Sequence, residues 1–460
     1  MKMSRRWRSL AAFALAVSML AAPAAHAAAA PVVVTAVKDG WISQDGGWYY
    51  AKNGAYVKGW QEIEGAWYYF DTSGRMQTGW QEIGGKWYYF KSSGKMSVGW
   101  QEISGKWYYF ASSGKMVTGW KEISGKWYYF ASSGKMSVGW QQIGSKWYYF
   151  TSSGAMKTGW LEDDGYRYYL KSDGSMAVSE KIGTDLFNSL GHWYRKVSPG
   201  ASVTYDNVVN VLEQYDPDGA YIIRHTSEDE TLYWLEGSST IRGALGDFGI
   251  MVHEQCHEYN NYRLAPKYPV RGLANLGYEE RIYLGGGKSV LVMMTLVYDS
   301  IEMADSVPES LRGNRFDGYI TTPESSMTSR HWGIYGLLDE YSAYCWGMNA
   351  GNMMEQYKVD NGISRGNVSD EYLSYAEFRF YILKYLMYAR ENYPEIYKGI
   401  LENDNFRRAF TAVDTKFASV VATYFKNHPD RIKKWEDQYK TLTAEVEKKE
   451  YQDLLELLKP

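Results

Sequence analysis

Between about residues 40 and 180, aromatic runs alternate with short polar stretches at a period of about 20 residues. The stretch "GWQEIGGKWYYFKSSGKMSV" begins at Gly79 and returns nearly unchanged from Gly99, Gly119 and Gly139. Earlier copies start at Gly40 and Gly59, and a divergent one at Gly159. Each copy carries "WYYF" or a close variant, a run of strand-forming residues. A turn signal such as "SSGK" follows, then a second extended stretch that ends at the next "GW". The pattern predicts one β-hairpin per repeat. A lone hairpin is marginal in water, so the hairpins are expected to stack and bury aromatic faces against their neighbours as a solenoid. Met76, Met96, Met116 and Met136, one per copy, are expected to serve as packing.

After residue 180 the period vanishes, and the roughly 280 residues that remain are enough for a hydrophobic core. "ASVTYDNVVNVLEQY" and "GAYIIRHTSEDETLYWLEGSS" predict a helix followed by short strands. Beyond Gly249 the chain reads as mostly helical. Glu371 to Leu458 places Leu, Tyr, Lys and Glu at helical spacing, interrupted near Pro394 and Pro429, as in a packing subdomain with a solvated charged face. The expected architecture is multidomain: a linker at 28–38, a β-hairpin repeat solenoid at 39–180, and a mainly α (α+β) domain at 181–460. "LGGGKS" at 284–289 lacks the P-loop's first glycine, since Ile282 stands there, and "DPDG" at 216–219 lacks the other positions of a calcium loop. Both read as turns.

Charge changes this picture little. The 50 basic and 53 acidic residues nearly cancel, leaving a net charge of -3. No clustered basic surface points to a nucleic-acid partner. Aromatic residues make up 17% of the chain, and most of its 19 Trp lie in the first third. At the start, Lys2, Arg5, Arg6 and Arg8 precede the apolar run "AAFALAVSMLAA" and the small-residue site Ala25-His26-Ala27. This is the plan of a secretory signal peptide over residues 1–27, and the apolar run is short for a membrane span. No later segment has the unbroken apolar length to cross a bilayer, so a secreted protein held at the cell wall or surface is expected.

The repeat closely resembles the cell-wall-binding repeats of the choline-binding protein family of Gram-positive bacteria, because Trp, Gly and turn positions recur in phase. The resemblance implies a hairpin solenoid whose aromatic cages take the choline groups of teichoic acids. Transferred residue by residue, it implies cages of Trp60, Trp67 and Tyr88; of Trp80, Trp87 and Tyr108; of Trp100, Trp107 and Tyr128; of Trp120, Trp127 and Tyr148; and of Trp140, Trp147 and Tyr168. In the last copy Arg167 stands where the next cage Trp belongs, leaving Trp160 without a complete site. Ring faces suit a quaternary ammonium, which cannot donate a hydrogen bond; each contact contributes roughly 0.5–2 kcal/mol. Weak sites in series give avidity. The same platforms also stack on sugar rings, so another envelope glycan remains an alternative ligand.

The C-terminal part carries "VHEQCHEYNNY". The stretch "GIMVHEQCHEYNNY" contains no proline and can form one helix. His253 and His257 then share a face and can reach one metal ion. Glu254 sits about 100° further round, where it can act as general base rather than ligand. This is the H-E-x-x-H arrangement of zinc metallopeptidases. Asn260 and Arg263 stand where the three-histidine class needs glycine and histidine, so the resemblance is to gluzincins, whose third zinc ligand is a Glu on a later helix. Glu340, in "YGLLDEYSAYCWG", ranks ahead of Glu279 and Glu280 in "LGYEERIYL". Cys256 and Cys345 either remain buried thiols or form a disulfide that would staple the Glu340 helix to the histidine helix; such a bridge needs Cα atoms within about 7 Å. Asp339 reads as a solvent-facing neighbour or as a partner of a zinc-bound histidine. Glu258 belongs to that outer layer or to the solvated face. His331, Tyr335, Tyr341 and Tyr344 are the candidate oxyanion donors.

The expectation is therefore a secreted, envelope-attached zinc metallopeptidase acting on protein or peptide substrates. A non-catalytic surface adhesin and a hydrolase of peptidoglycan crosslinks are the alternatives.

Overall fold

In each repeat a two-residue turn decides the hairpin. Gly79–Ile83 pairs antiparallel with Lys86–Phe90, with Trp80 opposite Tyr89 and Glu82 opposite Trp87. Gly84 and Gly85 between them have φ of 60° and 69°. Positive φ at both central residues matches the twist of the flanking strands, which is why small or polar residues followed by glycine recur there. The computed structural model describes residues 37–264, 275–323, 328–365, 370–428 and 435–460, without the side chains of 262–264, 275, 276 and 328. The predicted leader lies outside the described residues, as does most of the predicted linker. The chain divides into two compact units, Met1–Ser137 and Val138–Pro460.

In the first unit, equivalent hairpins follow at Gly59–Phe70, Gly99–Phe110 and Gly119–Phe130, and the copy at Gly40–Lys52 adds a third short strand, Ala55–Tyr56. Successive hairpins are stitched by backbone bonds such as Met96 N–H to Trp67 O (2.8 Å) and Met116 N–H to Trp87 O (2.8 Å). The methionines pack as expected: a Cβ at Gly94 would overlap the Met76 thioether, so only glycine fits that turn. Alternation along "WYYF" buries Phe90 and Phe110 fully and leaves Trp67, Trp87, Trp107 and Trp127 43–44% exposed.

The second unit opens with the hairpins Gly139–Phe150 and Gly159–Leu170, then a small three-stranded sheet of Lys181–Ile182, Asp185–Phe187 and Trp193–Tyr194. Helices α1 (Tyr205–Tyr215), α2 (Pro217–Arg224), α3 (Glu228–Tyr233), α4 (Ile241–Ala244) and α5 (Phe248–Asn260) follow. The expected strands in 219–239 are thus helices. Pro217 opens α2, and Ser227 caps α3 ahead of Glu228, Asp229 and Glu230; these start signals outweigh the β-branched pair Ile222-Ile223. Beyond Gly249 the chain is mostly helical, as expected, with one interruption: Tyr262–Leu264, Asn275–Gly285 and Lys288–Thr295 form an antiparallel sheet. "LGGGKS" is the turn of its hairpin, while "DPDG" is the junction of α1 and α2.

Short helices α6 (Phe316–Tyr319) and α7 (Thr328–His331) lead into α8 (Ile334–Asp360). Then come α9 (Glu371–Asn392), α10 (Pro394–Leu401), α11 (Asp404–Asn427), α12 (Glu436–Val446) and α13 (Lys449–Leu457). Helix α8 is apolar on more than one face and is buried accordingly. Leu338, Tyr341 and Cys345 join the core built with α9 and α11, whereas Ala343, Trp346 and Ala350 join a second core with α1, α2 and α5. This arrangement corrects the disulfide alternative. Cys256 lies in the second core and Cys345 in the first, and both are free buried thiols. The Cys256 sulfur meets Ser342 Oγ at 3.8 Å instead. Among the described residues no helix is long and apolar enough to cross a membrane.

Candidate functional site

The hairpin register puts two tryptophans of one copy beside a tyrosine of the next. Trp60 lies 6.3 Å from Trp67 and 4.8 Å from Tyr88 between ring centroids, both edge-on. Trp80 repeats this with Trp87 (6.3 Å) and Tyr108 (4.9 Å), and Trp100 with Trp107 (6.2 Å) and Tyr128 (4.9 Å). In the second unit Trp140 meets Trp147 (6.5 Å) and Tyr168 (4.9 Å). Trp120 and Trp127 stand 6.3 Å apart in the first unit, and Tyr148 belongs to the second. One cage escaped the sequence reading: Trp41 lies 6.4 Å from Trp48 and 4.9 Å from Tyr68. The copy starting at Gly40 was visible in the repeat pattern, and extending the spacing one copy upstream would have found it.

In the second unit, α5 and α8 cross at their glycines. A Cβ on Gly347 would stand 2.8 Å from Gly249 O and 2.9 Å from the His253 Cβ. This close approach brings Glu340 of α8 to the two histidines of α5. Glu340 Oε2 lies 3.5 Å from His257 Nε2 and 3.9 Å from His253 Nε2, and the two Nε2 atoms are 3.2 Å apart. Donors on a tetrahedral zinc stand about 3.3 Å from one another, so the set has nearly the dimensions of a ligand shell. His257 Nδ1 is 2.8 Å from Asp339 Oδ2, and Asn260 Nδ2 donates to Asp339 Oδ1 at 2.9 Å. That pairing places the His257 proton on Nδ1 and turns Nε2 toward the cluster. Burial holds the His253 pKa well below the ordinary histidine range, with the His257 and Arg315 charges adding to the effect. For His257 burial acts the same way, but the charge and hydrogen bond of Asp339, with Glu340, outweigh it and raise the pKa.

Glu254 lines a cleft of about 260 Å³ with His253, Arg315, Tyr319 and Tyr344. Burial raises its carboxyl pKa, opposed by His257 and assisted by Glu340. Tyr344 packs edge-on against the His253 ring at 4.4 Å, and its hydroxyl is 3.0 Å from that of Tyr319. The Arg315 guanidinium lies 4.7 Å over the Tyr344 ring and is fixed by Glu377 at 2.8 Å.

The family description "Choline-binding repeat" matches residues 57–98, 97–138 and 137–180, and a cell wall binding repeat matches residues 39–54. The choline-binding domain of CbpL from Streptococcus pneumoniae is 34% identical, over 36% of this chain and 89% of that one (TM-score 0.29). The chain belongs to the choline-binding repeat family. Choline binding protein F from Streptococcus pneumoniae is 44% identical over 34% of this chain and 58% of that one, with a TM-score of 0.34. The modular autolysin LytC of the same organism is 27% identical over 36% and 45%, with a TM-score of 0.27. The chain thus spans little more than half the length of choline binding protein F. No curated protein matches the chain.

The choline-binding repeats end on a filled position. The Arg167 guanidinium lies 4.2 Å over the Trp160 ring. In the rest of the second unit, the structure brings together the first-ranked ligand set but not its alternatives. Among the described residues, the group of potential metal ligands is His253, His257 and Glu340. Glu279 and Glu280 are buried on the strand Asn275–Gly285, outside that group. Asp339 is buried on His257 rather than facing solvent. Glu258 is spent on the backbone N–H of Ser227 at 3.1 Å. Of the four oxyanion candidates only Tyr344 lines the cleft. Tyr335 is engaged by Thr295, Tyr341 donates to Asp414, and His331 is exposed. Arg315 and Tyr319 were missed, because no motif links them to the histidines some 60 residues upstream.

Proposed function

We propose that the chain is a cell-surface zinc metallopeptidase, attached through its choline-binding repeats and cutting protein or peptide substrates at the α5–α8 site. The cages support attachment to choline-bearing teichoic acid or a related wall glycan. The observation that carries the catalytic part is the three-donor cluster of His253, His257 and Glu340 with Glu254 beside it on the open cleft. Two imidazole nitrogens and one carboxylate form a ligand set that zinc favours; binding it would require His257, whose pKa Asp339 and Glu340 raise, to release its Nε2 proton. Zinc, when bound there, would polarise a carbonyl and acidify water.

The protein's own residues supply the rest. Asp339 holds the His257 tautomer, so its Nε2 lone pair points inward. Glu254 accepts the proton of the attacking water and passes it to the leaving amine; its raised pKa narrows the gap to neutral pH that both transfers must cross. Tyr344, Tyr319 and Arg315 offer donors toward the side of the cleft where negative charge on the carbonyl oxygen would develop. The test is a peptide-library digest by wild type and Glu254→Ala, read by mass spectrometry with zinc content measured in parallel. Cleavage by wild type alone, with zinc retained in both, supports the reading. Equal cleavage by both, or none by either with zinc bound, removes it and favours an adhesin or a crosslink hydrolase, which purified wall would separate.

A further inference from the structure

The last complete cage differs from those before it. In the cages that end on Tyr68 and Tyr108, an isoleucine of the tyrosine-donating copy, Ile63 or Ile103, packs into the aromatic cluster. The same register position is held by Ile83, Ile123 and Ile143, but in the copy that closes the last cage it is Asp163. Trp140 Nε1 donates to Asp163 Oδ2 at 2.8 Å, fixing a carboxylate against the cage. The cage of Trp140, Trp147 and Tyr168 opens into a cavity of about 720 Å³ that also reaches Tyr166 and the hairpin turn at Gly286 and Gly287. Tyr166 is only 4% exposed, stacks on His192 at 3.8 Å, and its hydroxyl has no hydrogen-bond partner. At the rim Lys146 and Lys171 are paired with Asp173 and Glu180. Among the described residues Asp163 and Asp164 have no ion-pair partner, so the cavity offers net negative charge.

A quaternary ammonium gains only general attraction from a carboxylate, because it has no N–H to donate. A protonated amine with at least one N–H gains both the ring faces and a charge-assisted hydrogen bond. We infer that this last cage selects N–H-bearing ammonium groups rather than choline. The inference stands apart from the metallopeptidase reading. One charge-assisted bond corresponds to about a tenfold or greater preference.

The test is ¹⁹F NMR on the full chain labelled with 5-fluorotryptophan, with Trp147 and Trp87 assigned by Trp147→Phe and Trp87→Phe. The probes are ethanolamine, its N-methyl and N,N-dimethyl forms, and choline. N,N-dimethylethanolamine should half-saturate Trp147 at about one tenth of the choline concentration, whereas Trp87 shows the reverse order. Asp163→Ile should give Trp147 the order of Trp87, and Asp163→Asn, which keeps an acceptor for Trp140, should lose the preference without repacking. A short lysine peptide added as a further probe distinguishes a polypeptide amine from a small envelope amine. The same order at Trp147 and Trp87 in the wild type overturns the inference, as does a preference that survives both substitutions.

Discussion

Replacing Gly347 with alanine tests whether the α5–α8 crossing sets the cluster. The new methyl carbon would lie 2.8 Å from Gly249 O and 2.9 Å from the His253 Cβ. Both are parts of a helix backbone or its first side-chain atom, so neither can swing aside. Ordinary contact needs about 3.5 Å or more, so the helices must part by roughly 0.5–1 Å. Metal sites tolerate ligand displacements of only about 0.2 Å, so His253 and Glu340 would no longer share an ion in good geometry. Overpacking costs roughly 1–3 kcal/mol, partly offset by the ~1 kcal/mol that alanine contributes over glycine inside a helix. Gly351, one turn further along α8, is the matched control: its nearest neighbour to an added Cβ is Glu371 Oε2 at 3.9 Å. Gly351→Ala should therefore be neutral or stabilising by up to ~1 kcal/mol. The assay is zinc competition against a chromophoric chelator, with denaturant unfolding of both variants alongside. At least a tenfold loss of zinc affinity in Gly347→Ala alone is expected; equal zinc affinity in the two variants would refute the reasoning.

Three further outcomes follow from the same geometry. Asp339→Asn should weaken zinc binding about 10- to 100-fold by loosening His257, measured by the same competition. Trp87→Ala, at an exposed ring, should remove one choline site from a calorimetric titration while changing stability little, with the lost contact contributing about 0.5–2 kcal/mol. Asp216 is buried, and burial with the nearby Asp218 pushes its pKa up to about 7, against the Gly219 amide, Lys416 and Asn349. Its folded pKa exceeds its unfolded value, so the protonated form favours folding: the contribution is complete below about pH 4 and lost as pH rises through 7. Relative to Asp216→Asn, the wild type should lose up to about 4 kcal/mol between pH 4 and pH 8 in denaturant unfolding; a pH-independent difference would rule this out.

What could be read from the chain follows physical range. The hairpins were legible because their turns and strand alternation are local, and "GG" or "SG" at a two-residue turn states its own backbone conformation. The neighbour relation of Trp80, Trp87 and Tyr108 was legible only through the family resemblance, since repetition shows a period but not which faces meet. His253, Glu254 and His257 lie within one turn and a half of one helix, so their geometry is local too. The extent of the sheet at 275–295 was not legible, because pairing partners, not propensity, make it a sheet. Arg315 and Tyr319 reach the cleft through a short helix held by Glu377 of α9, a contact between distant segments that leaves no local pattern. Whether the cysteines pair stayed open for the same reason, because which face of α8 meets α5 is decided by Gly249 and Gly347.

The sharing of each cage between successive hairpins has an evolutionary consequence. Deleting or duplicating a whole copy upstream of Gly159 restores a tryptophan pair beside a tyrosine at the joint. Adhesion strength can therefore be inherited in whole-number steps, with no seam for selection to repair. A copy added upstream of Gly159 would also leave the Arg167–Trp160 contact, and the folded boundary with the rest of the second unit, unchanged.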